Sequence, residues 1–329
     1  MYRLWIPVLF AFFVGFSAEA ADGFSFKDEA GQYLDVLQDG RIVGRYMYAY
    51  DKSTPQKLNE TYKPYLHIFD AEGKAPITKG PGGFYTHHRG IFIGWTKLGF
   101  GGKSLSFWTM GSGRIEHQKF LDQKAGEDQA TFTSLTHWNT TDAKRVLVEE
   151  RTHTIRRGAD GFRLVIDFAS KLQAPDGEVQ LKGDPEHAGV HYRPANEVDK
   201  TKTAYVYPKE NAEPHKDLDY PWVGESYTLD DKRYSVVEMS HPDNPKGTRW
   251  SAYRDYGRFG AFPTGTIPQG QSLTLKYRFL VADGEMPSVE QIHKACAQFA
   301  GASAAGEVPK TTVRPAEGGA AKKAPAKKK

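Results

Sequence analysis

Long runs in which apolar and polar side chains alternate constrain this chain more than any other feature of its sequence. The segments 162–168 and 273–281 place an apolar residue at every second position. This period of two is that of an antiparallel strand with one buried face. Shorter runs of the same kind cover further segments: Gln32–Gln38, Arg41–Tyr50, Ile91–Leu98, Ile115–Leu121, Ala130–Trp138, Arg145–Ile155 and Tyr234–Met239. Gly, Pro, Asn and Asp cluster between the runs, so we predict an all-β fold, a large antiparallel β-sandwich.

One helix is predicted near the C-terminal end of the body. Ser288 and Gln291 have the spacing of a capping box. The apolar side chains that follow share one helical face: Val289, Ile292, Cys296 and Phe299. We expect this helix to dock on the sandwich with Cys296 in the contact. Cys296 is the only cysteine, so neither a disulfide within one chain nor a Cys-based zinc site can form.

The first twenty residues have the pattern of a secretory signal. Arg3 precedes an apolar run over 4–16, and the small-x-small sequence Ala18-Glu19-Ala20 follows it. The run is shorter than the roughly 20 residues that cross a bilayer. We therefore expect a periplasmic or secreted protein with a signal over 1–20, a single domain over 21–305 and no transmembrane segment after cleavage.

The excess positive charge lies at the other end. The chain carries a formal charge of +4, and residues 306–329 alone contribute seven basic and two acidic side chains, which leaves the rest at −1. A near-neutral body lacks the basic face of a nucleic-acid-binding domain. The segment 306–329 is rich in Ala, Lys, Pro and Gly, which predicts a disordered tail. Its charge could contact an anionic surface of the cell envelope.

Histidine, arginine and tryptophan concentrate in three clusters at predicted strand ends. The first is His87-His88-Arg89-Gly90, between a Pro-Gly-Gly loop and a strand. Adjacent side chains on a strand face opposite ways, so both histidines reach one site only if the backbone is irregular, which Gly90 would allow. The second cluster spans Glu186 to Arg193, and the third spans His241 to Gly257.

These residue types predict an acid–base site, because the histidine pKa lies near working pH. The catalytic candidates are His87, His88, Arg89, His117 and Glu186. Of these, His87 or His88 would be the acid/base, with His117 or Glu186 as its counterpart. Arg89 would hold a substrate oxygen or stabilise an enolate-like charge.

Flat aromatic rings stack on sugars and arginine forks bind paired oxygens, which predicts a carbohydrate ligand. The substrate-binding candidates are Trp95, Trp108, His187, His191, Arg193, His241, Trp250 and Arg254. No organic cofactor is predicted. Imidazoles together with Glu186 could hold zinc, iron or manganese, although no His-x-His or HExxH spacing supports a metal.

The clusters, in this order, resemble a known family. The motifs that carry the resemblance are Pro64-Tyr65, His87-His88-Arg89-Gly90-Ile91, Gly94-Trp95, Phe107-Trp108, Gly113-Arg114-Ile115, His117, His241-Pro242, Asn244, Trp250, Arg254 and Tyr256-Gly257. They resemble the PmoA-like family, a domain of unknown function that carries the label "methane oxygenase", over about residues 33–300. The resemblance implies an exported β-sandwich similar to the mutarotase-like folds and associated with carbohydrate metabolism. A methane oxygenase is not expected, because membrane subunits of that enzyme need long apolar helices and no such run follows residue 20.

Two classes of function fit these observations. The first is an exported carbohydrate-active enzyme of hydrolase, lyase or epimerase type, which uses His/Glu acid–base chemistry on a sugar, glycoside or keto-sugar. The alternative is a non-catalytic carbohydrate-binding or envelope-associated β-sandwich. The clustered titratable groups favour the enzyme, because a binding site does not need them. Convergence of the candidate acid–base residues in one cleft would be the discriminating observation.

Overall fold

The computed structural model describes residues 22–301 and 306–318, which form a mostly β structure with two α-helices. The strands are β1 (Phe24–Glu29), β2 (Tyr33–Gln38), β3 (Arg41–Met47), β4 (Tyr65–Ile68), β5 (Ile91–Trp95), β6 (Leu98–Phe100), β7 (Lys103–Leu105), β8 (Gly113–Ala125), β9 (Gln129–Thr140), β10 (Arg145–Arg157), β11 (Leu164–Gln173), β12 (Val179–Leu181), β13 (Ala188–Tyr192), β14 (Ala204–Tyr207), β15 (Trp222–Leu229), β16 (Lys232–Ser240), β17 (Arg249–Ser251), β18 (Phe259–Phe262), β19 (Gly265–Ile267), β20 (Ser272–Asp283) and β21 (Thr312–Pro315). The helices are α1 (Pro55–Thr61) and α2 (Val289–Ala300), with a short 3-10 turn at Lys200–Lys202.

The strands form three antiparallel sheets. The front sheet has eight strands in the order β1-β2-β3-β4-β5-β13-β18-β17, and the back sheet has nine in the order β21-β14-β15-β16-β20-β11-β10-β9-β8. A smaller sheet has the order β19-β12-β6-β7. The predicted all-β antiparallel sandwich is confirmed.

The front and back sheets face each other across one hydrophobic core. Ile91 and Ile93 of the front sheet belong to the same buried cluster as Phe132 and Ile166 of the back sheet. A hydrogen bond of 3.0 Å from the Tyr46 hydroxyl to Ser134 Oγ also joins the two sheets. Alternation along each strand explains this packing, because every second side chain points into the core.

A second buried layer lies on the outer face of the front sheet. Phe92, between two core residues on β5, packs with Tyr65 and Trp108 in a separate cluster. His191 on β13 lies directly opposite Phe92 in the strand pairing, so it shares this face. The outer face of the front sheet is therefore covered by side chains such as Trp108, which comes from a segment outside the strands. The candidate site lies in this covering layer.

Helix α2 docks on the outer face of the back sheet, as predicted. Ser288 and Gln291 form the expected capping box. Ile292 and Cys296 pack in a cluster with Val237 and Leu280 of the back sheet, and burial raises the pKa of the Cys296 thiol to about 11. Helix α1 was not predicted, because its seven residues carry no apolar stripe; Thr54 caps it.

The C-terminal segment departs from the prediction of a disordered tail. Residues 306–318 include β21, which pairs with β14 at the edge of the back sheet. The backbone amide of Glu317 also donates to the carbonyl of Tyr253 at 2.7 Å. The edge strand supplies backbone partners that a composition argument does not consider, so the tail prediction was wrong for 306–318. The predicted signal over 1–20 and the end of the chain from 319 lie outside the described residues.

No helix in the described part of the chain is long and apolar enough to cross a membrane.

Candidate active site

A tight turn brings His87 and His88 to the same place. The amide of His88 donates to the carbonyl of Tyr85 at 2.8 Å, and Tyr85 has a φ of 53°. The two imidazole centroids are 4.3 Å apart, so the irregular backbone expected of this segment is confirmed. Gly90 completes the turn: its φ is 32°, and a Cβ there would lie 2.2 Å from the carbonyl oxygen of Leu66.

His88 lies at the base of the site among aromatic rings. Its ring centroid is 5.2 Å from Tyr85, 5.7 Å from Trp108 and 6.1 Å from Tyr256, and only 1% of the residue is exposed. Among residues 22–301 and 306–318, neither ring nitrogen of His88 has a hydrogen-bond partner. Nε2 of His87 has none either, although His87 itself is partly exposed. Such unpartnered buried groups are costly and point to a ligand.

Trp108 is the centre of the buried layer. Its ring lies 4.7 Å from His191 and 5.9 Å from His187, and the guanidinium carbon of Arg258 lies 5.7 Å from the ring centroid. The indole nitrogen of Trp108 has no partner in the described chain. A ligand oxygen is the acceptor that this N–H lacks.

Hydrogen bonds fix the tautomer of His191. Its Nε2 lies 2.7 Å from the carbonyl oxygen of Ala188, which can only accept, so Nε2 carries the proton. Nδ1 then accepts from Arg258 Nη1 at 3.2 Å. Arg258 Nη1 also donates to the backbone carbonyl of Glu186 at 2.7 Å. His191 thus supports Arg258 and is not free to exchange protons.

Acidic side chains at the rim are held in ion pairs. Glu186 pairs with Arg254, with 3.2 Å between Oε2 and Nε, and its Oε2 lies 3.7 Å from Arg258 Nη2. Asp184 accepts from His187 Nδ1 at 2.7 Å. Burial raises the pKa of Asp184, but bonds from the backbone amide of Glu186 and the charge of His187 outweigh burial and lower the pKa below its usual value.

Lys63 enters the layer from the segment before β4. Its Nζ donates to the carbonyl oxygen of Trp108 at 3.0 Å and lies 4.5 Å from the ring centroid of Phe92. Burial, followed by the charges of Arg89, Arg151 and Lys79, holds the Lys63 pKa well below its usual value.

Burial and positive charge keep both histidines of the pair neutral. Burial lowers the pKa of His87 to about 3, and Lys63, His187 and Arg258 act in the same direction. The His88 pKa is held well below 6.5 by burial and by Arg258, His87 and Arg193. A neutral imidazole keeps a lone pair that can accept a proton.

Six more of the predicted site residues belong to this region. The site joins candidates from the first, second and third clusters: Trp108, Glu186, His187, His191, Arg193 and Arg254. Arg193 donates to the carbonyls of Pro194 and Tyr256 and lies 4.9 Å from the Tyr256 ring, so it shapes the wall of the site.

Arg89 has a different role from the one predicted. Its guanidinium donates to the backbone carbonyls of Asn59, Glu60 and Thr86. Those contacts tie the end of α1 to the His87-His88 turn. Three of the five N–H groups of Arg89 are thus committed to backbone carbonyls, which assigns Arg89 to positioning the turn.

His117 and His241 do not reach the site, which corrects their predicted roles. His117 is on β8, at the edge of the back sheet, where Nδ1 lies 2.6 Å from Ser134 Oγ and the ring packs on Tyr48. His241 follows β16 and packs on Phe299 of α2 at 5.1 Å. Both belong to the back sheet, whereas the site is on the outer face of the front sheet.

Trp95 and Trp250 are core residues, which corrects their predicted stacking role. Trp95 follows Ile91 and Ile93 at period two and therefore points into the core, where its Nε1 donates to Pro263. Trp250 is buried on β17, and its Nε1 donates to Tyr220.

The sequence reasoning did not assign site roles to Lys63, Tyr85, Tyr256 and Arg258. The sequence does hold a signal for Tyr256 and Arg258, because they flank Gly257 close to Arg254, which was predicted to bind substrate. Lys63 and Tyr85 have no such signal in the sequence. Their place in the site depends on the path of the loops over the front sheet.

A cavity lies next to Lys63 on the front sheet. It encloses about 870 Å³ on the outer face of β2 to β4, and Lys63, Tyr65, His67 and Pro81 are among its lining residues. Lys63 therefore lines the cavity and also contacts Trp108, whose ring packs against His88. The volume is in the range of ligand sites.

Across the residues described here, no three His, Cys, Asp or Glu side chains are grouped so that they could hold a metal ion.

Comparison with known proteins identifies a family but no activity. The model of a family of unknown function, DUF6807, matches residues 33–297. The sequence matches no curated protein. The PmoA-like resemblance stays a prediction.

Several solved structures are similar in fold, and their titles describe carbohydrate-active enzymes. A heparan sulfate lyase HepC mutant from Pedobacter heparinus is 10% identical with a TM-score of 0.42, over 79% of this chain and 37% of that one. A glycoside hydrolase family 97 enzyme from Pseudoalteromonas sp. strain K8 is 9% identical with a TM-score of 0.36, over 76% and 35%. Galactose 1-epimerase from Lactobacillus acidophilus NCFM is 8% identical with a TM-score of 0.31, over 79% and 93%. The chain spans little more than a third of the first two proteins, and at these scores its function must be argued from its own site.

Proposed function

The chain belongs to the DUF6807 family of unknown function, and we propose that it is a carbohydrate-active enzyme of lyase or epimerase type that uses His88 as its base. One observation carries the proposal. His87 and His88 are adjacent, neutral and unpartnered within the described chain, at the base of an aromatic site.

The proposed reaction begins with removal of a proton from a sugar carbon next to a carbonyl or carboxylate group. His88 takes the proton, and the electron pair of the C–H bond moves onto the neighbouring oxygen. Arg258 carries the positive charge that stabilises this oxyanion, and the buried Lys63 amine offers further N–H donors. In an epimerase a proton returns to the opposite face of the carbon. In a lyase the electron pair returns from the oxyanion, the C–O bond on the next carbon breaks, and the leaving oxygen takes a proton from the protonated His88 imidazole or from water.

The rim carboxylates support this choice over a hydrolase that uses two carboxylates. Such an enzyme needs a carboxylic acid with a raised pKa beside the scissile bond. Asp184 has a lowered pKa, and Glu186 is paired with Arg254. Glu186 then orients Arg254 and Arg258 and is not the acid counterpart of His88.

Aromatic side chains at the mouth of the site support a carbohydrate substrate. Tyr85 is 50% exposed and packs against Tyr256 with 4.9 Å between the ring centroids, and Phe84 beside it is 78% exposed. Exposed aromatic rings next to buried polar groups are what a sugar ring needs for stacking and hydrogen bonding. Export through the N-terminal signal would place the enzyme where extracellular glycans are processed.

The test is a turnover screen with matched variants. Purified protein is incubated with neutral, uronate-containing and keto-sugar oligosaccharides, and products are followed by NMR and mass spectrometry. We expect turnover by the native chain and by His117→Gln, and loss of turnover in His88→Gln. Glycan binding without turnover in all three proteins would instead support the non-catalytic binding module, and full turnover by His88→Gln would exclude this histidine as the base.

A further inference from the structure

Five basic side chains are buried around the outer face of the front sheet. Lys63, Lys79, Arg89, Arg193 and Arg258 are each no more than 2% exposed. Buried lysine and arginine are rare in proteins unless a carboxylate neutralises them. This concentration of buried positive charge therefore requires a counter-charge from somewhere.

Carboxylates of the chain supply little of it. Within the described residues Lys63, Lys79, Arg89 and Arg193 have no carboxylate within 4.0 Å. Lys79, for example, donates to the backbone carbonyls of Gly80 and Gly82. Arg258 has only the 3.7 Å contact with Glu186, whose shorter contacts go to Arg254.

Glu225 is the one acid buried behind these groups. It is fully buried, and neither carboxyl oxygen has a hydrogen-bond partner among the described residues. Burial raises its pKa well above the usual value, while the charges of Arg193 and Arg258 act against burial. Even fully ionised, this single carboxylate would leave four of the five basic groups without a counter-charge.

The unpartnered atoms of the layer are mostly donors. In the described chain they include Nε and Nη2 of Arg258, Nε of Arg193 and Nε1 of Trp108, none of which can accept a hydrogen bond. Apart from the Glu225 carboxyl behind the layer, the acceptors without a partner among the described residues are one nitrogen of each unpartnered imidazole. A ligand that satisfies this set must bring oxygen acceptors, and excess positive charge favours acceptors that are ionised.

We propose that the substrate is an anionic sugar, whose carboxylate or sulfate oxygens bind Arg258 and Lys63. The inference rests on the carbohydrate enzyme proposed above and specifies its substrate class. Arg258 offers two N–H groups without a hydrogen-bond partner in the described chain, and Lys63, which lines the 870 Å³ cavity, offers an amine whose protonated form a bound anion would stabilise. For a uronate, the bound carboxylate would also acidify the neighbouring C–H bond that faces the base.

The experiment measures binding apart from turnover. Calorimetry on the His88→Gln chain compares three trisaccharides of matched length: a neutral one, one with a uronate and one with a sulfate ester. We expect the better of the two anionic ligands to bind at least tenfold more tightly than the neutral one. Its affinity should fall with added salt more steeply than that of the neutral ligand.

Two lysine variants in the same background locate the charge. Lys63→Met should lower the affinity for the anionic ligand at least tenfold and leave the neutral ligand within twofold. Lys57→Met is the matched control, because Lys57 lines the same cavity but is exposed on α1, and its loss should change the anionic affinity less than twofold. Thermal unfolding of each variant confirms that it is folded.

The outcomes separate this inference from the proposed function. Equal or tighter binding of the neutral sugar overturns the anionic substrate even if the enzyme turns over. Binding of inorganic sulfate as tight as that of the sulfated sugar would overturn the sugar part of the inference. Anion-selective sugar binding without turnover by the native chain would support the inference and contradict the enzyme.

Discussion

Two groups of buried polar side chains, one between the sheets and one on the outer face of the front sheet, differ in how many hydrogen-bond partners the chain gives them. Between the sheets, Glu149 and Arg151 of β10 are fully buried, and Glu149 accepts hydrogen bonds from Arg151, Thr136, Trp138 and Ser170. On the outer face, the described chain leaves the ring nitrogens of His88 and two nitrogens of Arg258 without partners. The network around Glu149 and Arg151 is therefore fully hydrogen-bonded, whereas the group around His88 and Arg258 has polar atoms without partners among the described residues.

The difference separates a structural role from a binding role. A buried network in which every polar group has a partner holds its members in place, since removal of any one member leaves the others buried without a hydrogen-bond partner. Unpartnered groups cost about 1 to 3 kcal/mol each, so they persist where a ligand completes them. His153 is an exception to this rule. Its ring nitrogens have no partner in the described chain, but it is a single residue enclosed by Phe132 and Phe168 in the core.

The largest effect is expected from breaking the inner network. Arg151→Met leaves Glu149 buried beside its remaining neutral partners, and we expect a loss of about 3 to 5 kcal/mol in the free energy of unfolding. Urea unfolding followed by fluorescence measures it. A loss below about 1 kcal/mol would contradict the structural role assigned to this network.

The next effect is expected from the outer site and should leave stability intact. His88→Gln should lower kcat/KM about 1000-fold, within the range for loss of a general base, because no other neutral imidazole occupies its position. The unfolding midpoint should stay at or above that of the native chain, since no hydrogen bond is lost. His117→Gln is the matched control and should keep kcat/KM within about twofold; equal losses in both variants would remove the distinction between the two regions.

A smaller effect concerns the pH dependence of stability. Burial and the charge of Arg151 hold the His153 pKa well below 6.5. Above pH 6.5 the ring is neutral in the folded and unfolded states, whereas below it only the unfolded state binds the proton. The free energy of unfolding therefore decreases as pH falls from 6.5 to 5, by up to about 1.4 kcal/mol per pH unit for each such histidine. His153→Leu should make the slope shallower by about that amount, and an unchanged slope in urea titrations would contradict the buried neutral ring.

The smallest effect is expected from a single open donor. Trp108→Phe removes the unpartnered indole N–H and part of a fully buried ring; relief of the buried N–H offsets part of the lost packing, so we expect the free energy of unfolding to fall by about 1 kcal/mol. The affinity for the anionic trisaccharide should fall about fivefold, because a ligand acceptor loses its donor. Calorimetry and urea unfolding on one preparation report both quantities. Unchanged affinity would place the ligand away from the indole.

The alternation of side chains was enough to predict which segments form strands, but not which face of each strand is buried in the core. Period two located β10, β11 and β20, and the capping box located α2, because both signals are local. Strand β21 was missed, since its partner β14 is about a hundred residues away in the sequence. Its pairing depends on an open sheet edge and not on its own composition.

The same limit explains the candidate site. His88 and His187 were found because polar aromatic clusters at strand ends are visible in the sequence. His117 and Trp95 were misassigned because the face of a strand follows from the sheet to which it belongs. Arg258 was missed although it is adjacent to Gly257, because only the tertiary structure shows that its N–H groups are open.

Exchange of a sugar C–H for solvent deuterium is the most direct test of the proposed chemistry. The native chain is incubated in D₂O with the anionic trisaccharide that binds, and incorporation at carbon is followed by NMR and mass spectrometry. We predict incorporation by the native chain and by His117→Gln, and none above background by His88→Gln. Turnover of the sugar without deuterium at carbon, or equal incorporation by His88→Gln, would contradict proton abstraction by this histidine.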